Sequence, residues 1–157
     1  MTILRRFLVL VVLLFWQGGF FFYAAVVVPV GRAALGGDQS IVTRQVTVYL
    51  NLAGAVALLP LAWDIWSTPA RRNTRWFCWL GMAATLPVLI WLRDRINAAI
   101  DPESASVLDS RVFYPNHRWY LWISTVQWAL AMYFVLASVK AWSLVDTKAK
   151  AIPEERY

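Results

Sequence analysis

Four long apolar runs alternate with shorter polar segments along the 157 residues of the chain. The runs cover residues 7–30, 44–66, 76–92 and 119–142. Each is close to the ~20 residues that an α-helix needs to cross a ~30 Å hydrocarbon core. Because the runs are continuously apolar and do not alternate, they disfavour the strands of a membrane β-barrel. The pattern predicts an all-α integral membrane four-helix bundle, with a single transmembrane domain over residues 1–157.

Turn-forming and charged residues separate the runs. A Gly-Gly-Asp sequence at residues 36–38 predicts a break in helix over residues 31–43, and a Ser-Thr-Pro sequence at residues 67–69 ends the second run. Residues 93–118 form the longest polar segment. We expect this segment to be an outer loop with a short interfacial helix near residues 96–100. Residues 143–157 are expected to form a short cytoplasmic tail.

The composition agrees with a lipid environment. Apolar residues make up 60% of the chain and charged residues 15%, against ~45–50% and ~25% in soluble domains. A soluble fold of this size could not bury so much apolar surface. The net charge of +6 is carried by residues between the runs, which suits lipid headgroups better than nucleic acid. The expected partners are membrane lipids and other membrane subunits, and no nucleic acid.

Basic residues indicate the orientation in the membrane. The loop between the second and third runs carries Arg71, Arg72 and Arg75 and no acidic residue, whereas the basic residues of segment 93–118 are accompanied by acids. Cytoplasmic loops of membrane proteins are enriched in lysine and arginine. The pattern therefore favours a multi-pass protein of the bacterial inner membrane with both termini in the cytoplasm.

Most of the ten tryptophans stand near the ends of the runs. Indole rings favour the headgroup boundary, where the ring lies in lipid and the N–H group faces water. The tryptophans near the predicted cytoplasmic ends are Trp63, Trp66, Trp76, Trp79 and Trp142, and those near the opposite ends are Trp91, Trp119 and Trp122. This distribution is what four crossings with these boundaries would produce.

Several uncharged polar side chains fall near the middle of the predicted spans. They are Gln17, Asn51, Thr85 and Gln127. An unpaired amide in hydrocarbon costs several kcal/mol, so these groups should meet each other or a ligand. One interpretation is hydrogen bonding between helices. The other is a binding site for a hydrophobic ligand with a polar group.

Asp64 and His117 are the other candidates for chemistry. An acid inside a span suggests a proton or cation site, and the alternative for Asp64 is an ion pair with Arg71, Arg72 or Arg75. His117 stands at the start of the fourth run. It could act as an axial ligand to a metal or pigment or as a proton site, and the alternative is an ordinary hydrogen-bonding role.

Familiar catalytic and metal-binding motifs are missing from the sequence. Cys78 is the only cysteine and His117 the only histidine, which excludes an intrachain disulfide, a thiolate cluster and a two-histidine site. We find no nucleophile–base pair, phosphate loop or dinucleotide fingerprint. The sequence therefore predicts no catalytic residue and no metal site, and it offers no positive case for an enzyme.

The first third of the chain carries three features of a known type of protein. They are a Gln-Gly-Gly-Phe sequence at residues 17–20, a Val-Pro sequence at residues 28–29, and Asn51 in the next helix. In these the chain resembles small four-helix bacterial membrane proteins of the anthrone-oxygenase-like kind and their uncharacterised relatives. The resemblance implies a compact helical bundle, and we carry over no residue role or activity from it.

Two functions are compatible with these observations. The first is a non-catalytic accessory or scaffold subunit of a larger membrane complex, respiratory or photosynthetic, because the chain is small, lacks catalytic motifs and has bulky aromatics at residues 20–23. The alternative is a small membrane binder or enzyme for a hydrophobic ligand, such as a quinone or lipid, at Gln17, Asn51, Thr85 and Gln127. A bound lipid, quinone or pigment would then be the cofactor.

Overall fold

The computed structural model describes residues 2–101 and 106–151, and these residues are almost entirely helical. The first part of the chain comprises α1 (Thr2–Leu13), α2 (Gly19–Phe22) and α3 (Val28–Leu35), joined end to end by the π-helical turns Leu14–Gly18 and Tyr23–Val27. The remaining helices are α4 (Gln39–Ser67), α5 (Arg72–Ala98) and α6 (Ser110–Lys150). The all-α prediction is confirmed for the described residues.

Three helical stretches of the described chain are long and apolar enough to cross a membrane, where the sequence predicted four separate helices. They are Thr2–Ser67, Arg72–Ala98 and Ser110–Lys150. The first stretch is undivided because the break expected over residues 31–43 is much shorter than predicted. α3 continues to Leu35, a 3₁₀ turn covers Gly36–Asp38, and α4 begins at Gln39.

The first helical stretch folds back on itself at Gly36. This glycine has φ 58° and ψ −123°, a backbone conformation that residues with a side chain rarely adopt. Residues 2–35, which we call the first arm, then pack antiparallel to α4. Arg5 bonds to Asp64 near one end of this pair, and Tyr23 bonds to Thr43 near the other.

The expected outer loop is also shorter than predicted. α5 extends to Ala98 and α6 begins at Ser110, so the separate short helix predicted near residues 96–100 is not formed. The Asp109 carboxylate caps α6 by accepting bonds from the backbone N–H groups of Arg111 and Val112. At the other end α6 continues to Lys150, and residues 152–157 of the predicted tail lie outside the described residues.

The bundle is apolar outside and partly polar inside. α6 packs along α5, and α4 packs between α5 and the first arm. The side chains of Leu61, Met82 and Phe134 are fully buried in the core, but so are those of Asp64 and Arg75. The outer surface presents many large apolar side chains, such as Phe15, Leu59 and Phe77. The core is mostly apolar, as in a water-soluble protein, but so large an exposed apolar surface is not typical of one.

Candidate functional site

Asp64 lies at the centre of a buried ionic network near one end of the bundle. Its Oδ1 accepts a bond of 2.8 Å from Nε of Arg5, and its Oδ2 accepts one of 3.1 Å from Nε1 of Trp142. The Arg75 guanidinium donates to the same Oδ2. We use the name ionic network for Arg5, Asp64, Thr68, Arg75, Ser138 and Trp142.

Arg75 uses all three of its nitrogens inside this network. Nε donates to Oγ of Ser138 at 3.1 Å, and one terminal nitrogen donates to the backbone oxygen of Thr68 at 3.4 Å. The other terminal nitrogen bonds to Asp64. The guanidinium also lies over the ring of Phe134, 5.5 Å from its centroid. A buried arginine is tolerated when its charge is paired and its nitrogens are hydrogen-bonded in this way.

The local backbone explains why Arg75 reaches Asp64. Arg71 adopts a left-handed conformation, φ 52°, between α4 and α5. The chain reverses there, and the first turn of α5 returns alongside the last turns of α4. A terminal nitrogen of Arg5 donates to the Thr68 hydroxyl at 3.0 Å, so the first arm also contacts the end of α4. The network thus connects the first arm, α4, α5 and α6.

The structure pairs Asp64 with one of the three arginines expected from the sequence, Arg75. Arg72 instead lies over the ring of Trp66, 5.0 Å from its centroid. Arg5 is a second partner of Asp64, which the sequence did not predict. The contact depends on the antiparallel packing of the first arm on α4, which the sequence pattern does not determine. The arrangement fits a cross-link between helices, and a proton or cation role for Asp64 stays a prediction.

A second ion pair lies at the surface beside this network. Arg6 donates two bonds to the carboxylate of Asp146, at 2.7 and 2.8 Å, and its guanidinium lies 5.5 Å from the centroid of the Trp142 ring. Asp146 is exposed. This pair therefore links the first arm to α6 at the surface of the bundle, while the pair of Asp64 and Arg75 links α4 to α5 in the interior.

The structure brings together two of the four polar residues predicted near the middle of the spans. Nε2 of Gln127 donates to Oγ1 of Thr85 at 2.7 Å, and Thr85 donates to the backbone oxygen of Met82 at 2.8 Å. Gln127 and Thr85 are on α6 and α5. This contact is an interhelical hydrogen bond of the kind that holds membrane helices together.

The other two members of this group have donors without partners. Gln17 is only 2% exposed, and its Nε2 has no hydrogen-bond partner within the part of the chain that the structure describes. The same holds for Nδ2 of Asn51. Gln17 belongs to the π-helical turn Leu14–Gly18, and such turns often occur at functional sites. None of the hydrogen bonds in the described part of the chain joins Gln17 to Thr85 or Gln127.

Ser124 is a further buried polar residue that the sequence did not single out as a site residue. It is 4% exposed, and its hydroxyl has no partner among residues 2–101 and 106–151. It lies one turn before Gln127 on the buried face of α6. Its spacing from Gln127 is the signal that could have added it to the candidates.

His117 lies on an exposed part of α6, apart from these groups. Its ring stacks on Phe113, with 5.5 Å between the centroids and 8° between the planes. Residues 2–101 and 106–151 contain no group of three His, Cys, Asp or Glu side chains that could hold a metal ion. A role for His117 as an axial ligand or proton site stays a prediction.

Comparisons with known proteins identify no relative of this chain. The chain matches no protein-family model, no curated protein and no solved structure. The candidate site is therefore defined by its own geometry, as an ionic network that joins the helices. The side-chain nitrogens of Gln17 and Asn51, which have no partner among the described residues, lie apart from this network.

Proposed function

We propose that the chain is an integral protein of the bacterial inner membrane. Support comes from α5, whose 27 residues span about 40 Å at the rise of an α-helix, which exceeds the ~30 Å hydrocarbon core. Near its two ends, Arg72 lies over Trp66 and Arg95 over Trp91. Arginine–tryptophan pairs are suited to the headgroup region, and the surface between them is apolar.

Within this proposal the chain crosses the membrane four times. The first helical stretch reverses at Gly36, so the first arm and α4 each provide one crossing. α4 has 29 residues, and the first arm also exceeds the ~20 residues required. The loop that carries Arg71 and both termini then lie on one side, which the basic residues assign to the cytoplasm.

We infer that the protein is a non-catalytic accessory or scaffold subunit of a larger membrane complex, of the respiratory or photosynthetic kind. The observation that carries this proposal is the ionic network. Its buried charged groups, Asp64 and Arg75, bond to neighbouring helices rather than facing an open site. Groups used in this way stabilise one arrangement of helices, which is the property that a scaffold needs.

The first arm offers the surface for a partner. Phe15, Phe21 and Phe22 are all exposed, and the side chain of Phe15 is 75% exposed. Large aromatic side chains are the residues that most often anchor protein interfaces. We therefore assign the contact with other subunits to this aromatic face of the first arm.

Purification from native membranes in a mild detergent tests this function. We expect the tagged protein to elute as a stable assembly of defined composition in native mass spectrometry. Substituting both Phe15→Ala and Phe22→Ala should release the protein from that assembly. The matched control is Phe77→Ala, an equally exposed aromatic on α5, which should leave the assembly intact. Recovery of the native chain only as a free monomer would refute the proposal.

A second candidate function is binding of a hydrophobic ligand. It is favoured by one specific observation, the buried Nε2 of Gln17, which has no hydrogen-bond partner in the described part of the chain. Buried polar groups in proteins nearly always have partners, so an exception calls for an explanation. A bound molecule that accepts this hydrogen bond is one such explanation.

A further inference from the structure

A groove runs along the surface of α6 near its N-terminal end. Side chains on a helix form ridges at spacings of four residues, with grooves between neighbouring ridges. One ridge of this groove consists of Tyr114, Arg118, Trp122 and Val126, and the other of Pro115, Trp119 and Ile123. The groove has a volume of about 600 Å³, and all of these lining residues belong to α6. We call it the α6 groove.

The α6 groove is open to the surroundings of the bundle. Tyr114, Trp119 and Trp122 are each 62% exposed, and Val126 is 51% exposed. Arg118 is exposed as well. A ligand can therefore reach both the apolar walls and the guanidinium without any movement of the helices.

The α6 groove is polar at one end and apolar at the other. Arg118 directly precedes the apolar run 119–142, so in the proposed orientation it stands at the headgroup level of the outer leaflet. Tyr114, one turn further out, adds a hydroxyl donor. From Tyr114 to Val126 the helix rises about 18 Å, close to the ~20 Å of one leaflet with its headgroups. The groove thus matches one leaflet in both length and polarity.

The charge in this groove is of one sign. Among its lining residues, Arg118 alone is charged. The ion pairs of the described part of the chain use Arg5, Arg6, Arg75 and Arg93 instead. A guanidinium without an acidic partner suits a phosphate, which it can bind through two parallel N–H bonds. The cation of a zwitterionic headgroup would find no acid in the groove, so a headgroup with net negative charge fits best.

A second groove shows the contrast. It lies between the first arm and α6 towards the other end of the bundle, and Arg6, Asp146 and Lys150 are among its lining residues. Both terminal nitrogens of Arg6 already donate to the Asp146 carboxylate. A phosphate in this groove would meet that carboxylate, which repels it. The α6 groove is therefore the better site for an anion.

We propose that the α6 groove binds an anionic phospholipid of the outer leaflet. The phosphate lies on Arg118, and one acyl chain lies against Trp122 and Val126. This inference rests on the proposed membrane location and is independent of the accessory role. A helix of a partner protein could also lie between these ridges, but it would have to bring an acid of its own to pair with Arg118. The lipid carries that negative charge at the right depth.

Native mass spectrometry of the purified full-length protein in detergent micelles tests the proposal. The probe is dioleoylphosphatidylglycerol. The comparison is dioleoylphosphatidylcholine, which has the same acyl chains and a zwitterionic headgroup. We expect a saturable adduct with the glycerol lipid, formed at a lower lipid concentration than the adduct with the choline lipid.

Substitutions at the exposed surface locate the site. Arg118→Gln removes the charge that holds the phosphate and should weaken binding of the glycerol lipid about tenfold. Trp122→Ala removes an apolar wall and should also weaken binding. The matched control is Arg95→Gln, because Arg95 belongs to the same side of the membrane but lies over Trp91 on α5, outside the groove. It should leave the affinity unchanged. Because all three residues are exposed, the unfolding temperature of the lipid-free protein should change little.

Several results would overturn the proposal. Native protein that forms no saturable adduct would exclude the lipid, and equal binding of the two lipids would exclude selection of an anionic headgroup. Equal affinities of the Arg118→Gln and Arg95→Gln variants would mean that the lipid responds only to net charge. Release of a co-purifying protein by Trp122→Ala, with the lipid affinity unchanged, would assign the groove to a partner helix.

Failure of this inference is distinguishable from failure of the proposed location. A chain that stays in solution without detergent would refute the membrane location itself. A chain that requires detergent but binds no phosphatidylglycerol would refute only the lipid site. The accessory role is measured separately, by co-purification through the aromatic face of the first arm.

Discussion

Asp64 and Arg75 form an ion pair in which neither side chain is exposed to solvent. Removing one partner of a buried pair leaves an uncompensated charge and typically costs about 3–5 kcal/mol. We therefore expect Asp64→Asn, which leaves both Arg75 and Arg5 without a carboxylate, to lower the free energy of unfolding by about this amount. Titration of the purified protein with a denaturing detergent, followed by circular dichroism, measures the change.

The exposed pair of Arg6 and Asp146 is the control for this substitution. Asp146→Asn removes the negative charge and one of the two oxygens that accept bonds from Arg6, but the surroundings can solvate both side chains after the change. Exposed ion pairs contribute little to stability. Asp146→Asn should leave the unfolding midpoint nearly unchanged, and equal effects of the two substitutions would contradict the distinction between the interior and surface pairs.

Trp142 contributes a hydrogen bond from its indole N–H to the Asp64 carboxylate. Trp142→Phe keeps an aromatic ring but removes the donor, and a lost bond to a charged group costs about 2 kcal/mol. We expect a corresponding fall in unfolding free energy. Trp66→Phe serves as the comparison, because Trp66 is 72% exposed and stacks only with Arg72 in the described contacts. Its substitution should cost less than about 1 kcal/mol.

Gly54 allows close contact between α4 and the first arm. A Cβ at this position would lie 2.6 Å from the Trp16 ring, so Gly54→Ala forces the two helices or the ring to shift. Overpacking of this kind costs about 1–3 kcal/mol. The control is Gly18→Ala, where the added Cβ would be 3.6 Å from Leu14 and alanine is the better helix former. A stability loss at Gly18 and none at Gly54 would contradict the packing described here.

The reversal at Gly36 makes the membrane topology testable by cysteine labelling. Gly37→Cys and Ser110→Cys should react with a membrane-impermeant maleimide from the outer face of the membrane. Asn73→Cys should react only from the cytoplasmic face. The native Cys78 is fully buried, so the unsubstituted protein reports the background. Protection of Gly37→Cys from both faces would mean that the first helical stretch does not reverse outside the bilayer.

The sequence predicted where the helical segments lie, because each apolar run is continuous. In lipid, a helix hydrogen-bonds the backbone N–H and C=O groups of such a run within the segment itself. It also predicted an arginine partner for Asp64, since Arg75 follows it within one short loop. The contact of Thr85 with Gln127 could be anticipated for a similar reason. Both residues lie at similar depths on the small and polar faces of their helices.

Other features depend on how the helices are rotated about their axes, which periodicity alone does not determine. Arg5 meets Asp64 only because the first arm packs antiparallel to α4, and the two residues are far apart in sequence. The π-helical turn at Gln17 was also unpredictable, because one extra residue per turn shifts the direction of the side chains that follow. The break at residues 31–43 was overestimated, because a single glycine with positive φ is enough to reverse the chain.

The order of synthesis has a bearing on the ionic network. The ribosome delivers Arg5 first, then Asp64 and Arg75, and the C-terminal helix with Ser138 and Trp142 last. Until that helix inserts, Asp64 and Arg75 lack the hydrogen-bond partners that Ser138 and Trp142 provide. A chain without α6 therefore leaves Asp64 without the Trp142 hydrogen bond and Arg75 without the Ser138 hydrogen bond.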